Sequence, residues 1–164
     1  MPALAGGESD AAPTTARQHA ELRPMCDADI DAILVIEADS FAAPWPRSAF
    51  EMALVAPELL CLVAHADGVA GYLIACPDRQ HTLIANVAVA LHHRRLGLGR
   101  RLMETALRWA QDRGADSCRL DVRMSNTAAQ HLYEGLGFHR AGVRRGYYPN
   151  PREDALTMVW VPGA

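Results

Sequence analysis

Large apolar side chains are almost missing from residues 1–19, a stretch dominated by Ala, Gly, Ser, Thr, Pro and charge, and become dense from Glu21 onward. The pattern divides the chain into a disordered extension, residues 1–19, and one folded domain, residues 20–164. Residues 21–25 predict a short strand. Behind Asp27, a candidate N-cap, Ile30, Ile33, Leu34 and Glu37 recur at helical spacing, with the apolar ones on one face. Pro44 and Pro46 break the chain around Trp45, and Pro46 suits the first turn of a second helix that turns Phe50, Ala53 and Leu54 inward. Two apolar, partly β-branched runs, residues 59–65 and 69–76, are split by Ala66-Asp67-Gly68, the signature of a hairpin. Residues 81–90 form a further strand, too apolar on both faces for a sheet edge. A glycine-containing turn at Gly97 and Gly99 then opens a helix that runs to about Arg113 and stops at Gly114. A strand over 118–122 follows, then a helix over 127–136, capped by Ser125 or Asn126 and ended by Gly137. Strands over 141–148 and 155–161 close the chain. The order β-α-α-β-β-β-α-β-α-β-β predicts a mixed α/β (α+β) sheet.

The 164 residues (17.8 kDa) suit one domain plus a tail, and 50% apolar with 21% charged residues is the composition of a soluble globular protein. No run reaches the roughly 18 to 20 apolar residues of a membrane span, and the first seven residues lack the basic and apolar regions of a secretory signal. A cytoplasmic location is therefore expected, without membrane contact. All 16 basic residues are arginine, which excludes Schiff-base chemistry and the lysine of a phosphate-binding P-loop. Residues 1–93 hold 4 arginines against 12 acids, whereas residues 94–164 hold 12 against 7. This asymmetry fits an anionic ligand on the C-terminal half, while the net charge of −3 argues against nucleic-acid binding. The four cysteines show neither C-x-x-C pairing nor zinc spacing, so free thiols in a reducing compartment and no metal are expected.

Strand, glycine turn and helix together make the general anion-binding construction, because the first helical N–H groups are unpaired and the helix dipole adds positive charge. Arg94, Arg95, Arg100 and Arg101 surround that turn. A dinucleotide fingerprint fails at its third position, Leu102, and a P-loop lacks its lysine. What remains is R-x-x-G-x-G, with Arg94, Gly97 and Gly99 in place. This resembles the acetyl-coenzyme A signature of the GCN5-related N-acetyltransferases. Their preceding strand reads much like Asn86-Val87-Ala88-Val89 and splays from its neighbour to admit the pantetheine arm. Leu120-Asp121-Val122-Arg123-Met124-Ser125-Asn126 followed by Leu132-Tyr133-Glu134-Gly135-Leu136-Gly137-Phe138 is similar to the family's next strand–helix unit. Arg144-Arg145-Gly146-Tyr147-Tyr148-Pro149, Arg152-Glu153-Asp154-Ala155 and the Pro44-Trp45 pair resemble the RimI-type branch, which acetylates the N-terminal alanine of a small-subunit ribosomal protein. The resemblance covers residues 20 to 162.

The resemblance implies acetyl-CoA as co-substrate, held by the main chain of Val87, Ala88 and Val89, by the loop Arg94, Arg95, Leu96, Gly97, Leu98, Gly99 and Arg100, and by Asn126. It implies Asp121 as the carboxylate that deprotonates the attacking amine, Tyr133 as the acid for the departing thiolate, and Trp45, Tyr147, Tyr148 and Glu153 as the border of a peptide groove. The implied partner is the N-terminal segment of a ribosomal or other protein. Asp121 departs from the pattern, since the RimI-type enzymes carry the longer Glu there. Structural roles compete at each position: Asp121 pairing with Arg123 or a helix end, Tyr133 packing in the core, Asn126 capping a helix, and the tyrosines decorating a surface hairpin. Two other functions remain open, acetylation of a small-molecule amine and non-catalytic binding of acyl-CoA. Because residues 1–19 offer little burial to offset the entropy of ordering, a chain beginning near Ala20 is expected to keep its thermal midpoint and its turnover. Loss of either, measured against the full chain, would contradict that boundary.

Overall fold

Residues 20–164 are described by the computed structural model, and the extension expected over residues 1–19 lies outside them. Strand β1 (Glu21–Pro24) leads through a short 3-10 turn (Asp27–Asp29) into helix α1 (Ile30–Ser40). Asp29, rather than the expected Asp27, organises this junction. Its carboxylate accepts the Cys26 N–H at 2.9 Å and both guanidinium nitrogens of Arg23 at 2.7 and 2.8 Å. Only 6% of that side chain is exposed, so the charge is held where a bidentate partner can satisfy it. Pro46 then caps α2 (Arg47–Leu54), as its fixed φ favours.

Strands β2 (Leu60–Ala66), β3 (Gly68–Asp78) and β4 (His81–Val89) form an antiparallel meander. The β2–β3 connection is tighter than a two-residue turn: Ala66 pairs directly with Gly68, which takes φ +114°, and a register shift at Ala64 and His65 absorbs the extra twist. Helix α3 (Leu98–Asp112), strand β5 (Ser117–Arg123), helix α4 (Thr127–Glu134) and the hairpin of β6 (His139–Pro149) with β7 (Arg152–Trp160) complete the chain. The expected element order holds. The turn after α4 carries the Phe138 N–H to the Tyr133 carbonyl and the Gly137 N–H to that of Glu134, with Gly137 at φ +95°. This is the 6→1 and 5→2 closure for which glycine is the least strained residue.

The seven strands lie in the order β1-β2-β3-β4-β5-β7-β6, all neighbours antiparallel except β4 and β5. One face packs against α3 and α4 through residues such as Leu73, Leu102, Met103, Leu120 and Phe138. The other packs against α1 and α2 through Ile30, Ile33, Phe50, Tyr72 and Ile74, with Phe50 set edge-on to Tyr72 at 5.6 Å. Among the described residues no helix is long and apolar enough to cross a membrane.

The Arg23 pair holds the Asp29 carboxyl at about 2, below its ordinary 3.8, so folding favours the ionised form. A depressed folded pKa contributes stability above the unfolded value and loses it as pH falls through the folded one. Asp29→Asn is therefore expected to cost about 1–2 kcal/mol at pH 7 and progressively less between pH 4 and 2. Urea midpoints of both proteins across that range provide the check.

Candidate active site

The parallel pairing of β4 with β5 spans only three registers, His81–Leu83 against Ser117–Arg119. Beyond it, residues 84–89 and 120–123 have no ladder between them, although β4 stays paired to β3 and β5 to β7. A bulge on β4 assists the divergence, because Ile74 faces Asn86 while Ala75 faces Ile84, leaving Ala85 extra. The edge of β4 at Val87 and Val89 therefore offers main-chain hydrogen-bonding groups toward a wedge-shaped opening inside the sheet. Gly71 lets β3 press close behind it, since a Cβ there would lie 2.9 Å from the Ala88 carbonyl oxygen.

At the end of β4 the chain turns into α3. Gly97, the N-cap, has φ +81° and Arg95 has φ +65°, two left-handed residues that turn the chain into the helix. The first intrahelical bond of α3 joins the Arg101 N–H to the Gly97 carbonyl, so the N–H groups of Leu98, Gly99 and Arg100 precede the ladder and suit an anion. Gly99 is fitted closely: a Cβ would lie 3.3 Å from Leu132 and 3.7 Å from Val89. The expected loop residues divide by what their side chains touch. Leu98 is buried in the α3 core and Ala88 in the α1–α2 core, which leaves each only its main chain for a ligand. Arg94 turns back to donate to the Val89 carbonyl at 2.9 Å and to Ser40 at 3.1 Å, and Arg100 reaches the Gly135 carbonyl at 3.3 Å. Both clamp the loop while adding positive charge to it. Leu96 is half-buried and Arg95 exposed.

Asp121 lies on β5 between Leu120 and Val122, whose side chains enter the α3 core, so its own points to the α1–α2 face. Its Oδ1 accepts a hydrogen bond from the Thr157 hydroxyl at 2.5 Å and lies 3.5 Å from the Arg144 guanidinium, leaving 11% of the side chain exposed. The pairing with Arg123 weighed from sequence is not formed; Arg123 pairs with Glu153 instead. Tyr133 is 7% exposed and packs on Phe138 at 5.8 Å, and burial, with Tyr148 nearby, pushes its phenol up to about 12. Among the described residues nothing hydrogen-bonds its hydroxyl. Tyr148 lies near both: its hydroxyl donates to the Asp121 carbonyl oxygen at 3.4 Å, and its nearby phenol disfavours ionisation of Tyr133. Asn126 caps α4 by accepting the Ala129 N–H at 3.1 Å, which leaves the amide N–H₂ for a ligand.

Of the groove residues, Tyr147 is 49% exposed and meets Tyr148 edge-on at 5.1 Å. Glu153 is not an open carboxylate. It accepts the Ser125 N–H at 2.5 Å and pairs with Arg123 at 3.2 Å, and these bonds, Ser125 foremost, hold its pKa below the usual range. Arg123 also donates to the carbonyls of Asn150 and Pro151 and stacks on Tyr148 at 4.1 Å, so it carries the β6–β7 turn. Trp45 is half-buried against Phe50, and its backbone N–H donates to Glu37 at 2.7 Å. Glu37, 1% exposed, also accepts from the Tyr72 hydroxyl and from the Asn86 amide at 3.2 Å. Sequence reasoning missed its role, although a carboxylate in helical register with Ile30 and Ile33 was the signal: an acid on a core face needs buried donors. Among the described residues, no three His, Cys, Asp or Glu side chains gather to hold a metal ion.

A mixed sheet whose parallel pair parts after three registers, with a glycine-bounded helix N-terminus just beyond, is the architecture of a CoA-dependent acyltransferase. The model of the acetyltransferase (GNAT) family matches residues 30–138, and the chain belongs to that family. It is 38% identical over 147 residues to a Bacillus subtilis relative, covering 87% of this chain and 95% of that one. It is 36% identical over 133 residues to the Escherichia coli [ribosomal protein bS18]-alanine N-acetyltransferase, covering 80% and 90%. The crystal structure of the Escherichia coli ribosomal-protein-S18-alanine N-acetyltransferase superposes with a TM-score of 0.79 at 32% identity, over 87% of this chain and 93% of that one. Arabidopsis thaliana NAA60, solved with acetyl-CoA, shares the fold at 16% identity with a TM-score of 0.79, over 88% and 99%. The protein is an N-acetyltransferase.

Glu37 satisfies three buried or half-buried donors at once. Glu37→Ala is expected to lower folding stability by about 2–4 kcal/mol, because Tyr72, Asn86 and the Trp45 N–H lose their acceptor together. Guanidinium denaturation measures this. A loss under 1 kcal/mol would mean that water replaces the carboxylate and that the anchor is dispensable.

Proposed function

We propose that this protein transfers the acetyl group of acetyl-CoA to the α-amine of a protein N-terminus in the cytoplasm, its substrate being the N-terminal alanine of a small-subunit ribosomal protein. The observation that carries the reading is the three-register pairing of β4 and β5, which leaves an unladdered edge beside Asp121. The names of the 36%-identical relatives, which span most of the chain, support the substrate. A pantetheine arm suits the unladdered edge of β4 at Val87 and Val89, and its pyrophosphate suits the α3 N-terminus, where Gly97 and Gly99 keep side chains out of the way.

Three tasks then fall to this chain's residues. Asp121 takes a proton from the incoming amine, directly or through one water, which compensates for an arm shorter than Glu by one methylene. The Val87 N–H donates to the carbonyl oxygen as it gains charge. Tyr133 returns a proton to the departing sulfur. With its phenol near 12 and a thiol ordinarily near 8.5, transfer to a thiolate already released is uphill by about 5 kcal/mol, so the proton moves as the carbon–sulfur bond breaks and the phenolate is reprotonated from solvent. Tyr147, Tyr148 and the Trp45 loop border the peptide, and Glu153 contributes by bracing the β6–β7 turn through Arg123.

Peptides beginning Ala-Arg are expected to be acetylated in preference to free amino acids and small amines. The reverse preference would select a small-molecule enzyme, and tight acetyl-CoA binding without turnover a binding module. Asp121→Asn is expected to lower kcat about 10²-fold with the KM for acetyl-CoA nearly unchanged, while Asp121→Glu retains activity. Equal kcat for wild type and Asp121→Asn from pH 6 to 9 would remove Asp121 as the base.

A further inference from the structure

The strands β5 and β7 pair so that Asp121 stands directly opposite Thr157, and the Thr157 hydroxyl donates to Asp121 Oδ1 at 2.5 Å. The Arg144 guanidinium, from the neighbouring β6, approaches that same oxygen at 3.5 Å. Oδ2 has no donor among the described residues. We infer that Thr157 is a positioning residue for the acetyl-transfer reaction: it saturates one oxygen of Asp121 and so turns the other toward the incoming amine. The inference rests on the reading of Asp121 as the base.

The physical case begins with side-chain length. An aspartate has two torsions, and the second is soft, so a carboxylate on an exposed strand face samples a wide range of orientations. A cross-strand hydroxyl removes that freedom. Threonine suits the task because its β-branch restricts χ1, fixing the hydroxyl relative to the sheet. A hydrogen bond to an ionised oxygen is also stronger than one between neutral groups. Arg144 adds charge without equal directionality: its side chain is 45% exposed, its contact is longer, and it lies 5.5 Å from the Tyr147 ring. The other charged and titratable groups around Asp121 are already engaged. Arg123 and Glu153 pair with each other, and the Tyr148 hydroxyl meets the Asp121 main-chain carbonyl rather than its carboxylate. Among the described residues Thr157 is thus the one neutral donor on the carboxylate, and its hydroxyl bonds to Asp121 alone.

The consequences are specific. Thr157→Val keeps shape and β-propensity but removes the donor. It is expected to lower kcat about tenfold, the weight of one hydrogen bond to a charged group, with the KM for acetyl-CoA unchanged. Thr157→Ser, which keeps the hydroxyl, should restore kcat. The decisive measurement is a double-mutant cycle on the full chain with an Ala-Arg peptide: Thr157→Val, Asp121→Asn and both together, with thermal midpoints recorded alongside. Action through Asp121 predicts that Thr157→Val costs little once Asp121 is Asn. The same tenfold cost in both backgrounds, or a Thr157→Ser variant as slow as Thr157→Val, would overturn the positioning role while leaving Asp121 as base. Full activity of Asp121→Asn would overturn the base reading, and the inference with it. If Thr157→Val unfolds, Thr157→Ala against Thr157→Ser gives the same comparison of kcat, and equal values again overturn it.

Discussion

A parallel pair of strands that stops after three residues governs the rest of this structure. Backbone groups inside a sheet are ordinarily satisfied by the next strand, so an interior edge without a ladder is costly unless something else meets it. Here β4 is held from behind by a full antiparallel pairing with β3, and β5 by one with β7, so the two can separate without either losing its place. The Ala85 bulge and the close approach allowed by Gly71 turn this separation into a fixed shape. A site for an extended ligand arm follows from the topology before any side chain is considered.

The Gly97 turn and the Trp45 loop are tied to different helix layers. The Gly97 turn belongs to α3 and is clamped by Arg94 and Arg100, whereas the Trp45 loop belongs to the α1–α2 layer and is anchored by Glu37. Glu37 also grips Asn86, next to Val87 on β4. One buried carboxylate therefore links the strand beside the opening to the Trp45 loop. Burying it is tolerable because its neighbours are donors held by the fold, not mobile side chains.

Much of this was legible in the sequence, and the exceptions are instructive. The order of elements follows from periodicity and from glycine and proline punctuation, and the Gly97, Gly114 and Gly137 turns all use positive φ, as an achiral residue permits. The glycine loop and the candidates Asp121 and Tyr133 can be singled out from sequence because each sits in a contiguous motif. What stayed hidden depends on cross-strand register and on packing between layers. Thr157 opposes Asp121 only once β5 and β7 are aligned, Arg144 arrives from a third strand, and Glu37 acquires its donors from three separate segments. The junction cap was misjudged between Asp27 and Asp29, since spacing alone does not reveal that Arg23 would reach the second. Nor does the place of Glu153 in its motif give any sign of the Arg123 partner.

The loop arginines bear on the protein's own chemical durability. An acetyltransferase works in contact with a reactive thioester, which slowly acylates exposed amines. Lysines in the places of Arg94, Arg100 and Arg101 would be primary amines open to that side reaction, and each acylation would erase a charge and a clamp. A guanidinium stays protonated and is a poor nucleophile, so the side chains that grip Val89, Gly135 and Ala20 do so with groups the reagent leaves alone. With no lysine anywhere in its 164 residues, the chain has no side-chain amine to lose to its own co-substrate.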